Sequence, residues 1–328
     1  MRTRLENPKD YRIGWIAALS IERAAATAFL DEHHDPPDKF RQHPRDSNYY
    51  TWGRIGKHNI VIASLPTGVY GTNSAAATAS NLLSSLPHID IGLLVGIAGG
   101  IARPQTGQDI RLGDVVVSQP DGTSGGVIQY DFGKAIRGQK WQLSGSLRQP
   151  PTVLLSALSS LQAIHFLRPS KVPNLIDEMI QNNPPMGVPR NGNPSFQYQG
   201  VDNDRLFFST YVHEGGETCE GCDSSHQIRR SQRRSTAPKI HYGVVGSGNT
   251  LVKDGVARDK LVDSVGARIL CVEMEAAGVM NHFPCLVVRG ICDYADSHKN
   301  DRWQRYACAT AAAFTKELLE YVPVRKYF

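Results

Sequence analysis

Val272-Glu273-Met274-Glu275-Ala276-Ala277-Gly278 places two carboxylates behind an apolar run and ahead of small residues. Two such groups do not both enter a dry core unpaired. One reading is a solvated helix start, where the peptide dipole favours acids. The other is a carboxylate that grips a vicinal diol, because its two oxygens accept two hydroxyl protons. A second apolar run also ends in an acid, Val287-Val288-Arg289-Gly290-Ile291-Cys292-Asp293, and Asp296, His298 and Lys299 follow. Ligands of open α/β sheets bind at strand ends of this kind, although an aspartate there also serves as an ordinary cap. A third run ends in Gly96-Ile97-Ala98-Gly99-Gly100. Such glycines let backbone N–H groups approach a ligand. Their spacing is neither a dinucleotide fingerprint nor a P-loop.

The elements that must position these residues alternate. Tyr11–Ala18, Ile91–Val95, Asp114–Ser118, His241–Gly246, Arg268–Cys271 and Cys285–Ile291 read as buried strands, and residues 49–54 and 58–64 as a hairpin around Gly56. Ser20–Leu30, Asn73–Ser84 and Asp301–Tyr321 read as helices. The order predicts an α/β fold with a mixed, largely parallel twisted sheet flanked by helices. One domain over residues 1–328 is expected, with an insertion at about 137–240 that carries one or two helices and long irregular loops.

The 328 residues are 41% hydrophobic and 20% charged, which supports a packed core and excludes wholesale disorder. Apolar runs are too short for a membrane span, and the first residues, MRTRLENPKDYR, hold no apolar leader segment. A cytoplasmic address is expected. Of the net charge of +5, Arg229, Arg230, Arg233 and Arg234 carry four, so no broad basic face for nucleic acid is expected. This arginine cluster reads as an exposed loop. Cys271, Cys285, Cys292 and Cys308 read as reduced core thiols. His213, Cys219, Cys222 and His226 are four possible zinc ligands. A thiol pair without metal is the reading carried forward, and zinc is its alternative.

The glycine run, VEMEAAG and ICDYAD, in this order, resemble the nucleoside phosphorylase and nucleosidase superfamily. The chain looks like methylthioadenosine/S-adenosylhomocysteine nucleosidases. It looks more closely like the nucleoside phosphorylase-like domains of fungal proteins, often N-terminal to NTPase-and-repeat immune receptors. The resemblance runs from Tyr11 to about Tyr321, and the C-x-x-C-D loop resembles the fungal group specifically. It implies that Glu22 activates water and that Asp293 is the general acid for the leaving purine. It implies that Glu275 and Met274 form the ribose site; Glu273, Ala98 and Gly99 are further candidate substrate-binding residues. Asn249, Leu251 and Val252 would line the purine site. Phosphorylases of this superfamily commonly bind phosphate through an arginine and a hydroxyl; here those places hold Leu94 and Ile97, so water is the expected nucleophile.

Cleavage of a purine N-glycosidic bond builds positive charge on the sugar. It needs an acid at the base and a base at the water. No cofactor is required. Lys253, His298, Lys299, Arg302 and Arg103 would supply cations for a polyphosphate, so ATP leads the expected adenine nucleosides and nucleotides. A phosphate-dependent phosphorylase and a sensing module without turnover are the alternatives. Relatives usually assemble, so a homo-oligomer is expected.

Overall fold

A computed structural model describes residues 2–134, 136–137, 141–266 and 268–324. Residues 138–140 of the expected insertion, and the two ends of the expected 1–328 domain (Met1 and residues 325–328), lie outside the described residues.

Apolar side chains alternate along the central strands and are buried on both faces. In β2, Ile13 and Trp15 join one core while Ile16 joins the other, and all three are inaccessible to solvent. Such a strand must be covered twice. In chain order the elements are β1 (Thr3–Arg4), β2 (Ile13–Ala17), α1 (Ser20–Ala28), β3 (Glu32–Asp35), β4 (Thr51–Ile55), β5 (His58–Ser64), α2 (Thr72–Ser85) and β6 (Ile91–Gly100). Then come β7 (Val115–Ser118), β8 (Val127–Gln129), β9 (Gly133–Lys134), β10 (Gln142–Leu143), α3 (Thr152–Leu167), α4 (Val172–Asn182) and β11 (Ile240–Ser247). The last are α5 (Gly255–Val265), β12 (Ile269–Glu273), α6 (Ala276–Val279), β13 (Cys285–Asp293) and α7 (Gln304–Leu319). Residues of α1, α3, α4 and α7 fill one core, and those of α2 and α6 the other.

The main sheet runs β1-β3-β4-β5-β2-β6-β12-β11-β7-β13, with β8 beside β11. Seven of its pairings are parallel and four antiparallel, as the mixed, largely parallel expectation requires. Because β13 pairs with both β7 and β6, the strands β6, β12, β11, β7 and β13 close into a ring. β6 is longer than expected. Its glycines continue the strand, pairing Gly99 and Gly100 antiparallel with β12. The alanines of α7 let that helix lie directly on β13; a Cβ at Gly290 would overlap the Ala307 backbone.

The segment from 141 to 240 holds α3 and α4, four short 3-10 turns and two isolated bridges set in irregular chain. Two of its arginines overturn the exposed-loop expectation. Arg233 donates to both oxygens of buried Asp114 at 2.6 and 2.7 Å, and Arg230 pairs with Asp204 at 3.0 Å. A buried carboxylate at the start of β7 needs a counter-ion, and the loop supplies it. Arg229 and Arg234 are exposed, as expected. Among the described residues no helix is long and apolar enough to cross a membrane.

Candidate active site

Leu19 precedes α1, and Glu22 occupies the third helical position, from which its carboxylate reaches back along the chain. It accepts the N–H of Ala18 at 2.6 Å, of Leu19 at 2.9 Å and of Ile97 on β6 at 2.8 Å. Glu22 is therefore buried and ties the β2–α1 turn to β6. Burial raises its pKa, opposed by Arg289 and the three N–H donors. A Cβ at Gly96 would overlap both the Glu22 carboxylate and the Arg289 guanidinium, so only glycine fits there.

Arg289, on β13, is wholly buried, and sequence reasoning missed it. The signal was present: an arginine inside an apolar strand must meet anions. Its Nη2 pairs with Glu273 and, at 3.3 Å, with Glu275. Burial alone would lower its pKa, but Glu273, Glu275 and Glu22 together hold it firmly charged.

Glu275 accepts the N–H groups of Gly71 and Met274, both at 3.4 Å. Burial, with Glu273 and Glu22 adding to it and Arg289 opposing it, raises its pKa to about 7. Glu273 was expected to touch substrate. Its oxygens are instead engaged by Arg289 and by the N–H groups of Glu275 and Ala276 at 3.1 Å. It anchors the start of α6 and holds Arg289 in place. Met274 is half-buried between the two acids.

Asn249 was expected at the purine. Its Oδ1 accepts from the Thr72 N–H and hydroxyl, both at 3.0 Å, which crosslinks its loop to the start of α2. The Asn249 N–H donates to Asp131 at 2.7 Å, and the Tyr130 hydroxyl donates to the Thr250 carbonyl at 3.0 Å. Leu251 and Lys253 are exposed, and Val252 is half-buried.

Asp293 ends β13 beside Gly99, where a Cβ would lie 2.7 Å from Oδ1. Ala98 is buried in the same stretch of β6. Oδ1 accepts the Ala295 N–H at 2.8 Å, and Ala295 holds a φ of 52°, a conformation that non-glycine residues rarely adopt. Oδ2 accepts from the Cys292 thiol at 3.1 Å and from the Lys299 ammonium at 2.6 Å.

The cations expected for a polyphosphate are thus redistributed. Lys299 serves Asp293. Arg302 donates to Asn203 at 2.7 Å and faces Glu220 at 3.7 Å, and Arg103 pairs with Asp263 at 2.8 Å. Arg23, next to Glu22, lines an open cavity of about 530 Å³ with Leu19, Ser20, Gly68 and Tyr70. A narrow cavity of about 40 Å³ adjoins Asp293 and Asn300. His213, Cys219 and Cys222 come together, whereas His226 stands outside that group with its ring stacked on Tyr211.

Chemically, the arrangement offers three buried carboxylates, Glu22 held by backbone N–H groups, Glu275 beside a buried arginine and Asp293 paired with an ammonium.

No protein-family model matches the chain. It is 41% identical over 95% of its length to a nucleotide-binding leucine-rich repeat-like protein of Hyaloscypha variabilis, of which it spans 29%. It is 33% identical over 91 residues to the ATP nucleosidase Cap17 of Escherichia coli, a match covering 26% of this chain and 18% of that protein. Among solved structures, the 5'-methylthioadenosine/S-adenosylhomocysteine nucleosidase of Neisseria meningitidis in complex with methylthio-immucillin-A aligns with a TM-score of 0.57 at 14% identity. That alignment covers 94% of this chain and 98% of the other.

Proposed function

Taking as premise that this chain belongs to the nucleoside phosphorylase/nucleosidase superfamily, we propose that it hydrolyses the N-glycosidic bond of adenine nucleosides or nucleotides. The observation that carries this reading is that Glu22 and Asp293 meet β6 only two residues apart, at Ile97 and Gly99. That spacing is roughly 6–7 Å of strand, within the span of one nucleoside.

The C1'–N9 bond breaks as a water oxygen bonds C1'. Asp293, supplied by its shared proton with Lys299, protonates the purine at N7, and Glu22 takes the proton from water. Glu275 accepts hydrogen bonds from the ribose hydroxyls, and Arg289 opposes the effect of burial on that carboxylate and aims it. Burial raises the Glu22 pKa, which suits a carboxylate that takes a proton from water.

Water is favoured over phosphate because Leu94 is core and Ile97 packs against core, so neither place presents a cation or hydroxyl. ATP leads as substrate on the likeness to Cap17, with exposed Lys253 and the Arg23 cavity as candidate places for phosphates. A module that binds nucleotide without turnover is the second reading, favoured by the receptor-like relative. Chromatography of products from ATP, adenosine and inosine tests the proposal. Free adenine from at least one adenine substrate supports it. Binding of ATP without any product would favour the sensor.

A further inference from the structure

We propose that His213, Cys219, Cys222 and His298 bind a zinc ion that staples the segment after α4 to the loop behind β13. The inference is independent of the catalytic reading. The ligand atoms of His213, Cys219 and Cys222 all lie within 4.8 Å of one another. Ligands on a tetrahedral zinc, at about 2.0–2.3 Å from the metal, stand roughly 3–4 Å apart, so small rotamer changes close the set.

His298 lies outside that set, and a separate observation points to it as the fourth ligand. His298 is 7% exposed, and neither of its ring nitrogens has a hydrogen-bond partner among the described residues. A buried imidazole left so costs free energy unless something binds it. Its ring centre is 5.5 Å from that of His213. Two imidazoles sharing one tetrahedral zinc sit about 5 Å apart. His226, the histidine nearest the cysteines in sequence, is solvent-facing and stacked on Tyr211, 4.3 Å between centres.

The surroundings have the form of a metal site's outer layer. The His213 Nε2 lies 3.1 Å from the Thr218 carbonyl, which as acceptor fixes the tautomer and leaves the lone pair on Nδ1. The His298 Nδ1 faces the Asp296 carboxylate at 3.6 Å, leaving Nε2 for the metal. The Asn300 amide points at the Cys219 sulfur, 4.0 Å away. Two thiolates and two imidazoles suit zinc above harder cations. The loop so held is continuous with Asp293 and carries Lys299, and His213 also donates its N–H to Ser297 at 3.0 Å. The ion would thereby fix the loop that aims the acid.

The test is metal analysis of the purified full chain, with cobalt(II) substitution and thermal melting with and without a strong chelator. About one zinc per chain is expected. Cobalt should give tetrahedral thiolate spectra, and chelation should lower Tm. Zinc should be lost in Cys219→Ser and Cys222→Ser, weakened in His298→Ala and retained in His226→Ala. A chain that holds no near-stoichiometric zinc, even after zinc addition and desalting, overturns the proposal, and so does a Cys219–Cys222 disulfide in freshly prepared protein. Should the cysteine variants fail to fold, the chelator and cobalt measurements on the parent decide. Unchanged zinc affinity in His298→Ala would remove His298 from the site.

Discussion

The ammonium of Lys299 lies 2.6 Å from Oδ2 of Asp293, so the proposed acid enters the reaction as half of an ion pair. Such a pair titrates as a unit that carries one proton more than the carboxylate alone. Burial lowers the Lys299 pKa, but Asp293 and its surroundings raise it overall, so the pair keeps that proton into alkaline solution. Lys299→Met should leave Asp293 as sole donor. The basic limb of the kcat profile should then fall at lower pH than in the parent. A superimposable basic limb would show that Lys299 takes no part in proton supply. Asp293→Asn should lose ~10²–10⁴ in base release, with its folded state checked by circular dichroism.

Glu275 gives the opposite limb. Its pKa of about 7, set first by burial, means that the ribose-binding form grows in as pH rises through neutrality. kcat/KM should climb on an acid limb near pH 7, and Glu275→Gln should flatten that limb while lowering kcat/KM. The same shift has a stability sign. A carboxyl raised in the fold stabilises below its unfolded pKa of about 4.5, and that contribution is lost as pH rises through about 7.

Glu22→Gln separates binding from hydrolysis. The amide removes the proton acceptor, so turnover should fall by ~10²–10⁴, while calorimetry should still register ATP or adenosine. Three backbone N–H groups now share the two oxygens of Glu22. The amide nitrogen must face at least one of them, and stability should drop by about 1–3 kcal/mol. Parental hydrolysis rates in this variant would remove Glu22 from the chemistry.

Asp114 governs acid stability. Burial would raise its pKa, but hydrogen bonds from Arg233 and His241 hold it down to about 2. Its folded pKa is depressed, so its stabilisation is present above about 4 and is lost as pH falls through about 2, worth about 2 kcal/mol. Urea titrations from pH 5 to 2 should show that loss in the parent. Arg233→Met should be destabilised by ~3–5 kcal/mol near neutrality and should show a weaker acid dependence.

The sequence was most legible where residues end apolar runs. Glu275 and Asp293 stood out because each follows a buried strand, where ligand binding competes with the blander readings of helix start and cap, and the strand–helix order followed from apolar periodicity. Arg289 was hidden because the apolar run around it reads as strand whatever its sixteenth neighbour back is; its partner Glu273 declares itself only in three dimensions. The same distance effect misassigned Arg233, whose partner Asp114 lies 119 positions away. It also hid the approach of His298, whose carbonyl accepts from the Cys219 thiol across 79 positions. The glycine run reads as lying past the end of its strand, because spacing alone does not distinguish that from a strand whose glycines leave room for neighbouring side chains. At Gly96 and Gly99 those side chains are Glu22, Arg289 and Asp293.

The central claim is that water, not phosphate, receives the sugar. The most direct measurement is adenine release in phosphate-free buffer against the same reaction with added inorganic phosphate, with the sugar product identified by mass. Equal rates, and a sugar with a free C1' hydroxyl in both, are the expected result. Release only when phosphate is added, with a sugar 1-phosphate as product, would contradict it.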